Sequence, residues 1–152
     1  MLTEDGPKVL EYNARFGDPE TQVVLPRMEN DIIDVFEACI DGTLDKIDLK
    51  FKDNAAVCVV LASDGYPLKY EKGFKISGLE RFEGSDEYFC FHAGTKFNEN
   101  GDIVTNGGRV LGVTAIGDDL KTARANAYAA TEWVEFENKY MRHDIGKAID
   151  FA

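Results

Sequence analysis

The chain has 152 residues, which is the size of one ordinary domain or of two small ones. Hydrophobic residues make up 44% and charged residues 30%, and 17 Lys+Arg against 28 Asp+Glu give a formal net charge of −11. This composition is typical of a globular protein. A field of that sign repels phosphate backbones and anionic lipid, so nucleic acid and membrane surfaces are not expected partners.

The beginning of the chain predicts a strand followed by a helix. Glu4–Gly6 has turn residues, and the stretch Lys8–Asn13 is typical of a strand. Asp18 is then a good N-cap, and Pro19 suits the first position of a helix. Pro26 interrupts that helical stretch.

A second helix is predicted from Glu29, and Gly42 ends it as a C-cap. Its apolar residues fall at helical spacing and are expected to form the buried stripe. These residues are Ile32, Ile33, Phe36, Cys39 and Ile40.

After Asp53 the pattern changes to short β-strands separated by turns, which predicts an antiparallel module. The predicted strands are Ala55–Leu61, Phe74–Ile76, Tyr88–His92, Ile103–Thr105 and Arg109–Ile116. Asp118 or Asp119 then caps a long helix that is expected to run to about Asn138. Its predicted inner stripe is Leu120, Ala123, Ala127, Ala130 and Val134. The fold class is therefore α+β, with one domain over residues 1–52 and a β-rich domain over residues 53–152.

The three cysteines, Cys39, Cys58 and Cys90, form no Cys-x-x-Cys pair. Cys39 and Cys58 lie in apolar segments, which predicts buried, reduced thiols rather than disulfides or metal ligands. The first residues also lack the basic and apolar regions of a secretory signal. We therefore expect a cytoplasmic protein.

Three polar residues of the first predicted strand share one face, because side chains alternate along a strand: Glu11, Asn13 and Arg15. A carboxylate and an amide oxygen suit Mg²⁺, which usually also takes water and substrate phosphates. A guanidinium suits a transferring phosphoryl group or a carboxylate. The alternative is a solvated strand face, since polar alternation is common in half-exposed strands.

The motif Glu11–Arg15, Glu-x-Asn-x-Arg, resembles the metal-binding end of the ATP-grasp fold. Its continuation through Val23 is similar to a signature of the glycinamide ribonucleotide synthetase family, the phosphoribosylamine–glycine ligases. Later blocks agree with that family: Phe91–Thr95, Gly107–Ala115 and Arg142–Gly146. The resemblance covers essentially the whole chain.

The resemblance implies that the chain is roughly the C-terminal third of such an enzyme. Residues 1–52 would be the end of the ATP-grasp domain, and residues 53–152 the family's small β-rich C-terminal domain. The reaction would join glycine to 5-phosphoribosylamine with consumption of ATP, an early step of purine synthesis. Glu11 and Asn13 would bind Mg²⁺ or Mn²⁺, and Arg15 would stabilise the transferring phosphoryl group.

Three further residues are candidates for substrate binding, each with a structural alternative. Asp18 either caps a helix or contacts a substrate amine. His92 is either a satisfied strand histidine or a substrate ligand. Arg109 follows two glycines and either binds a phosphate or has a structural role.

Two other hypotheses belong to different functional classes. The chain could be a free-standing, non-catalytic β-rich binding module, or a metal-binding protein built around Glu11.

On the ligase hypothesis the isolated chain is expected to be inactive, because the phosphate-binding lysines are absent. A dimer formed through the first strand would then be an artefact of its unpaired edge.

Overall fold

The computed structural model describes residues 1–12 and 14–147, which form an α+β structure, as the sequence predicts. The strands are β1 Leu2–Thr3, β2 Gly6–Pro7, β3 Ala55–Ser63, β4 Tyr88–His92, β5 Thr95–Phe97, β6 Ile103–Thr105, β7 Arg109–Gly117 and β8 Lys139–Tyr140. The α-helices are α1 Thr21–Val24, α2 Ile32–Asp41 and α3 Leu120–Thr131. Short 3₁₀ helices cover Leu25–Arg27, Leu44–Lys46 and Leu79–Phe82.

The centre of the fold is a four-stranded antiparallel sheet with the order β4-β7-β3-β8. Its two long strands, β3 and β7, pair from Ala55 opposite Gly117 to Leu61 opposite Leu111, and a bulge follows Leu61. Both strands are apolar and rich in β-branched residues, which favours a buried pleated sheet.

One face of this sheet packs against α3. Val57, Val59 and Ala115 contact Ala123 and Ala127 of the helix in one buried cluster. Small alanine side chains let the helix approach the sheet closely, so the larger apolar residues come from the strands. A second cluster extends this core beyond the end of the helix and includes Leu61, Leu111, Val113, Val134 and Phe136.

The opposite face of the sheet is covered in part by α1 and the 3₁₀ turn that follows it, which contact β3 and β7. This contact places the segment that carries the Arg15–Val23 motif against the sheet. The candidate site lies at this junction.

The predicted strand Lys8–Asn13 is not formed over its described residues. Residues 8–12 have no regular secondary structure, and Asn13 lies outside the described residues. The predicted turn Glu4–Gly6 is present, but it joins the short strands β1 and β2. A strand needs a partner for its backbone hydrogen bonds. Lys8 bonds the backbone of Met1, but no strand of the described residues continues this pairing along residues 9–12. Their alternating pattern is therefore not enough to make a strand.

Helix α1 begins at Thr21 rather than at Pro19, and Asp18 does not cap it. The turn that precedes the helix is closed by Thr21, whose backbone N–H and side-chain hydroxyl both donate to the Gly17 carbonyl. The Asp18 carboxylate instead pairs with Arg109, far away in the chain. A long-range ion pair has therefore replaced the predicted local cap.

Helix α2 ends at the predicted C-cap, Gly42, but it begins at Ile32 rather than at Glu29, and its buried face differs from the predicted one. Asp31 accepts a hydrogen bond from the Ile33 backbone N–H, and Gly42 ends the helix with φ 66°. The buried residues are Val35 and Ala38. Three of the five residues of the predicted buried stripe are exposed large side chains, namely Ile33, Phe36 and Ile40. Cys39 is also exposed, so its predicted burial is wrong, whereas Cys58 is buried as predicted.

Helix α3 is shorter than predicted. Asp119 caps it as expected by accepting from the Thr122 backbone N–H at 2.7 Å, but the helix ends at Thr131. The chain then turns so that Glu135 pairs with Ser77 in an antiparallel bridge. Lys139 Nζ donates to the Thr131 and Val134 carbonyls, which satisfies acceptors that the helix end leaves free. Leu120, predicted in the inner stripe, is exposed.

The remaining β-strand predictions are confirmed, with one exception. Residues 74–76 form no strand and make only an isolated bridge, between Lys75 and Val104. Within residues 1–12 and 14–147, none of the helices has both the length and the apolar character needed to cross a bilayer.

Candidate functional site

A cleft of about 490 Å³ lies between the segment around α1 and the end of β4. Its apolar lining includes Phe16, Leu25 and Phe91, and its polar lining includes Arg15, Asp18 and His92. A concave, partly apolar surface with a few convergent polar groups is the usual form of a small-molecule site. The cleft therefore joins two motifs that are far apart in the sequence.

The end of β4 forms one wall of the cleft, which Phe91 and His92 line. Phe89 and Phe91 point to the same side of the strand, and their rings stack with centroids 5.9 Å apart. Cys90 points the other way, into the core. His92 ends the strand at the cleft, and its Nδ1 lies 3.0 Å from Thr95 Oγ1. The hydroxyl contact fixes the orientation of the imidazole ring.

The Asp18–Arg109 ion pair connects the two parts of the chain beside this cleft. Arg109 Nη2 lies 3.1 Å from Asp18 Oδ2, and Arg109 Nη1 donates to the Asp18 carbonyl at 3.3 Å. Gln22 Nε2 donates to the other carboxylate oxygen of Asp18 at 3.2 Å. Asp18 and Arg109, which the sequence suggested as substrate ligands, thus belong to one polar cluster with Gln22.

Close glycine packing holds the backbone that carries Arg109. The Gly94 backbone N–H donates to the Arg109 carbonyl at 2.9 Å. A Cβ on Gly94 would lie 2.6 Å from both the Arg109 carbonyl oxygen and Gly107 Cα. Gly108 in turn lies against the ring of Tyr66, and Ser63 Oγ donates to the Gly107 carbonyl. Only glycine allows these backbones to approach so closely.

Arg15 and Gln22 each have polar atoms at the cleft that can contact a ligand. The Arg15 side chain is exposed, and its Nη1 donates to the neighbouring Phe16 carbonyl at 2.8 Å. Gln22 Oε1 is buried and has no hydrogen-bond partner among the described residues. Gln22 was not among the residues predicted for the site, although its position four residues after Asp18 on a predicted helix indicates their contact.

The Cys58 and Cys90 thiols of the central sheet are not suited to nucleophilic chemistry. Burial raises the pKa of Cys58. Burial also raises the pKa of Cys90 to about 12. Both thiols are therefore protonated near neutral pH, and a protonated thiol is a poor nucleophile.

Of the two predicted metal ligands, Glu11 does not line the cleft. Glu11 is exposed in the irregular segment, and Asn13 lies outside the described residues. Within the described ranges, no group of three or more His, Cys, Asp or Glu side chains is placed to hold a metal ion. A carboxylate is the right type of ligand for Mg²⁺, but octahedral coordination needs further oxygens. The described residues alone therefore do not form a complete magnesium site.

Comparison with known proteins identifies relatives for most of the chain. The family model described as phosphoribosylglycinamide synthetase, C domain, matches residues 56–148. A phosphoribosylamine–glycine ligase from Caldanaerobacter subterraneus is 52% identical over 145 residues, which are 95% of this chain and 34% of the relative. A bifunctional purine biosynthetic protein, purD, from Dictyostelium discoideum is 49% identical over 139 residues, covering 91% and 17%.

A solved structure agrees with these relatives. The crystal structure of phosphoribosylamine–glycine ligase from Thermotoga maritima matches with a TM-score of 0.70 and 36% sequence identity. The match covers 95% of this chain and 35% of that chain. The chain thus spans about a third of the length of the phosphoribosylamine–glycine ligases from Caldanaerobacter and Thermotoga that it matches.

Proposed function

The chain belongs to the phosphoribosylglycinamide synthetase family, and we propose that it is the C-terminal part of a longer ligase. That ligase would join glycine to 5-phosphoribosylamine in purine synthesis, with ATP converted to ADP and phosphate. The observation that carries the proposal is the cleft in which Arg15 and Asp18 of one family motif meet His92 of another. Glycine, 5-phosphoribosylamine and ATP are the proposed substrates.

The chemistry of this ligation requires an activated carboxyl group. A glycine carboxylate is a poor acylating agent, so its oxygen would first take the γ-phosphoryl group of ATP, giving a glycyl phosphate and ADP. The amine of the sugar would then attack the carbonyl carbon and release phosphate. Phosphoryl transfer depends mainly on positioning and on charge stabilisation. No general base is assigned, because an amine attacking an activated acyl group needs little help.

Arg15 is the residue proposed to stabilise the phosphoryl group during transfer. Its exposed guanidinium lies at the cleft, where it can approach a bound anion. Glu11 and Asn13 are proposed to hold Mg²⁺ or Mn²⁺ together with phosphate oxygens and with ligands outside the described residues. When bound, that ion neutralises phosphate charge.

The other three polar residues are proposed to bind substrate. Asp18 uses two of the five N–H groups of Arg109, which leaves Arg109 donors for a sugar phosphate. The Asp18 carboxylate has lone pairs left that can accept hydrogen bonds from the amine of a substrate. His92 lines the same cleft. The proposal also includes two domains, over residues 1–52 and 53–152, and a cytoplasmic location. The isolated chain is proposed to be inactive.

The first experiment separates the ligase from the free-standing binding module. The coding sequence upstream of Met1 is read for an ATP-grasp domain in the same frame, which the ligase proposal requires. An unrelated sequence or a stop codon there would favour the module.

The second experiment tests Glu11 in the longer ligase. Glu11→Ala should keep the fold, shown by an unchanged circular dichroism spectrum, and lose phosphate release that depends on glycine, 5-phosphoribosylamine and Mg²⁺. Glu4→Ala, in the exposed turn between β1 and β2, is the matched control and should behave as wild type. Wild-type turnover by Glu11→Ala would refute the metal assignment.

A further inference from the structure

The two ends of the Gln22 side-chain amide have different surroundings. Its Nε2 donates to Asp18 Oδ1 at 3.2 Å. Its Oε1 is buried and has no hydrogen-bond partner among the described residues. Most buried acceptors in proteins are paired, and an unpaired one destabilises the folded state. The stability of the fold therefore gains nothing from the oxygen of this amide.

The bond to Asp18 decides how the amide is oriented. An ionised carboxylate only accepts hydrogen bonds, so the amide nitrogen must face it. The stem of the side chain lies over the sheet, because a Cβ on Gly112 of β7 would lie 3.9 Å from Gln22 Cγ. Methionine has a similar unbranched shape and would fit there without a strong acceptor. What glutamine adds at this position is the donor to Asp18.

Asp18 receives one donor on each of its carboxylate oxygens. Gln22 binds Oδ1, and Arg109 Nη2 lies 3.1 Å from Oδ2. The two donors belong to α1 and to β7, so the carboxylate cannot turn freely. Each carboxylate oxygen can accept more than one hydrogen bond, and the Asp18 side chain is 51% exposed where it lines the cleft. Asp18 is thus presented to a ligand in one orientation.

The charges beside the cleft suit a ligand with an amine and an anionic group. Asp18 can accept from the amine, and Arg109 keeps donors that its contacts with Asp18 do not use. Both substrates other than ATP have such a pair of groups. The cleft, at about 490 Å³, is far larger than glycine needs. It therefore fits 5-phosphoribosylamine better, with the phosphate near Arg109 and the amine at Asp18.

We infer that Gln22 is a positioning residue, which holds the Asp18 carboxylate in the orientation that binds the amine of 5-phosphoribosylamine. The inference rests on the proposed function. Gln22 acts through Asp18 and does not itself touch the substrate, since its second polar atom is buried. The contact of Asp18 with the amine exists before and during the reaction. Its loss therefore raises KM more than it lowers kcat.

The test replaces the amide by an apolar side chain of similar shape in the longer ligase. Gln22→Met should raise the KM for 5-phosphoribosylamine by about tenfold, because Asp18 loses one of its two donors. The KM for glycine and kcat should stay within about twofold of wild type. The midpoint of urea unfolding should be unchanged or higher, because a buried unpaired acceptor is removed. Lower stability with an unchanged KM would show a structural role and overturn the inference.

A double variant tests whether Gln22 acts through Asp18. Asp18→Ala leaves no carboxylate to orient, so adding Gln22→Met should raise the KM for 5-phosphoribosylamine little further. Another tenfold rise in the double variant would show an independent action of Gln22 and contradict the inference.

Ribose 5-phosphate, which lacks the amine, is the matched ligand. Its Ki as a competitor of 5-phosphoribosylamine should be the same in wild type and Gln22→Met. A higher Ki in Gln22→Met would mean that the variant disturbs the whole cleft, and would overturn the inference.

Asn126 offers a matched control amide outside the lining of the cleft. Its Nδ2 donates to the Ile116 carbonyl at 3.0 Å, on the side of the sheet that α3 covers. Asn126→Ala should lower the midpoint of urea unfolding and leave both KM values at wild type. An equal rise in KM from Asn126→Ala would show that the effect of Gln22→Met is general rather than local.

Calorimetry with 5-phosphoribosylamine separates this inference from the proposed function. Binding that weakens in Gln22→Met, in a protein that releases no phosphate from ATP with glycine, would contradict the ligation and support the positioning role. Ligation with a wild-type KM in Gln22→Met would contradict the positioning role and support the ligation. Absence of any binding of 5-phosphoribosylamine by wild type would contradict both.

Discussion

The carboxylate of Asp18 lies 3.1 Å from Arg109 Nη2, although the two residues are 91 positions apart in the sequence. A second contact, from Arg109 Nη1 to the Asp18 carbonyl, gives the pair a two-point geometry. The pair closes the junction between the α1 segment and β7, next to the cleft. It therefore sets the position of two residues that we propose to contact substrate.

We predict a small but measurable coupling between these two residues in the free energy of unfolding. Both side chains are about half exposed, so solvent screens the pair and the expected coupling is about 0.2–1 kcal/mol. Urea unfolding of Asp18→Asn, Arg109→Gln and the double variant gives this value as a double-mutant cycle. The coupling should shrink in about 1 M salt. A salt-independent coupling would show that the contact is not electrostatic.

The glycine contacts behind Arg109 predict a larger effect. Gly94→Ala should lower the free energy of unfolding by about 1–3 kcal/mol, because the new Cβ would overlap the Arg109 carbonyl and Gly107. Ala93→Ser, an exposed change at the neighbouring position, should have little effect. Equal stability of the two variants in urea would mean that the backbones are not as close as described.

The three cysteines are predicted to differ in how fast an alkylating reagent modifies them. Cys39 is exposed and should be alkylated by iodoacetamide in the native protein. Cys58 and Cys90 should be protected, since burial both shields them and raises their pKa values. Mass spectrometry of peptides after labelling at about pH 8 measures this. Labelling of Cys90 as fast as Cys39, without denaturant, would contradict the packing of β4.

Acid should destabilise the protein through exposed carboxylates with lowered pKa values. The hydrogen bond from the Thr122 backbone lowers the pKa of Asp119 below its ordinary value of 3.8. The hydrogen bond from Lys75 does the same for Asp102, and that from Arg142 for Asp144. A lowered folded-state pKa stabilises the fold above pH 3.8, and this stabilisation is lost as the pH falls through the folded-state value.

Asp119→Asn isolates one of these groups, because asparagine still caps a helix but does not titrate. The fall in melting temperature between about pH 5 and about pH 2 should be smaller in this variant than in wild type. Glu99→Gln, an exposed change in the turn between β5 and β6, is the control and should leave the fall unchanged. An identical fall in Asp119→Asn and wild type would count against the assigned cap.

Sequence reasoning succeeded where structure is decided locally. The apolar run of β3, the Asp119 cap and the Gly42 C-cap each depend on a few neighbouring residues. It failed where contacts between residues far apart in the sequence decide the local structure. The stretch 8–12 alternates like a strand but has no partner strand in the described structure, and Asp18 has a cap signature but binds Arg109 instead.

The same distinction holds for the site. Arg15, Asp18, His92 and Arg109 were selected by their motifs, and three of them line one cleft while the fourth pairs with Asp18. Their proximity could not be derived from periodicity, since it depends on how α1 packs on the sheet. Helical spacing likewise selected Ile33, Phe36 and Ile40 for the buried stripe of α2, but the buried residues are Val35 and Ala38.

The most direct test of the proposed function is the ligation rate of the longer ligase with Arg15→Ala. Phosphate release that requires both glycine and 5-phosphoribosylamine should fall by about 10²–10³-fold in kcat, because a charge that stabilises phosphoryl transfer is removed. Arg81→Ala, an exposed arginine outside the cleft, should stay within about twofold of wild type. Arg15→Ala turning over at the wild-type rate would contradict the assignment of this cleft to the ligation site.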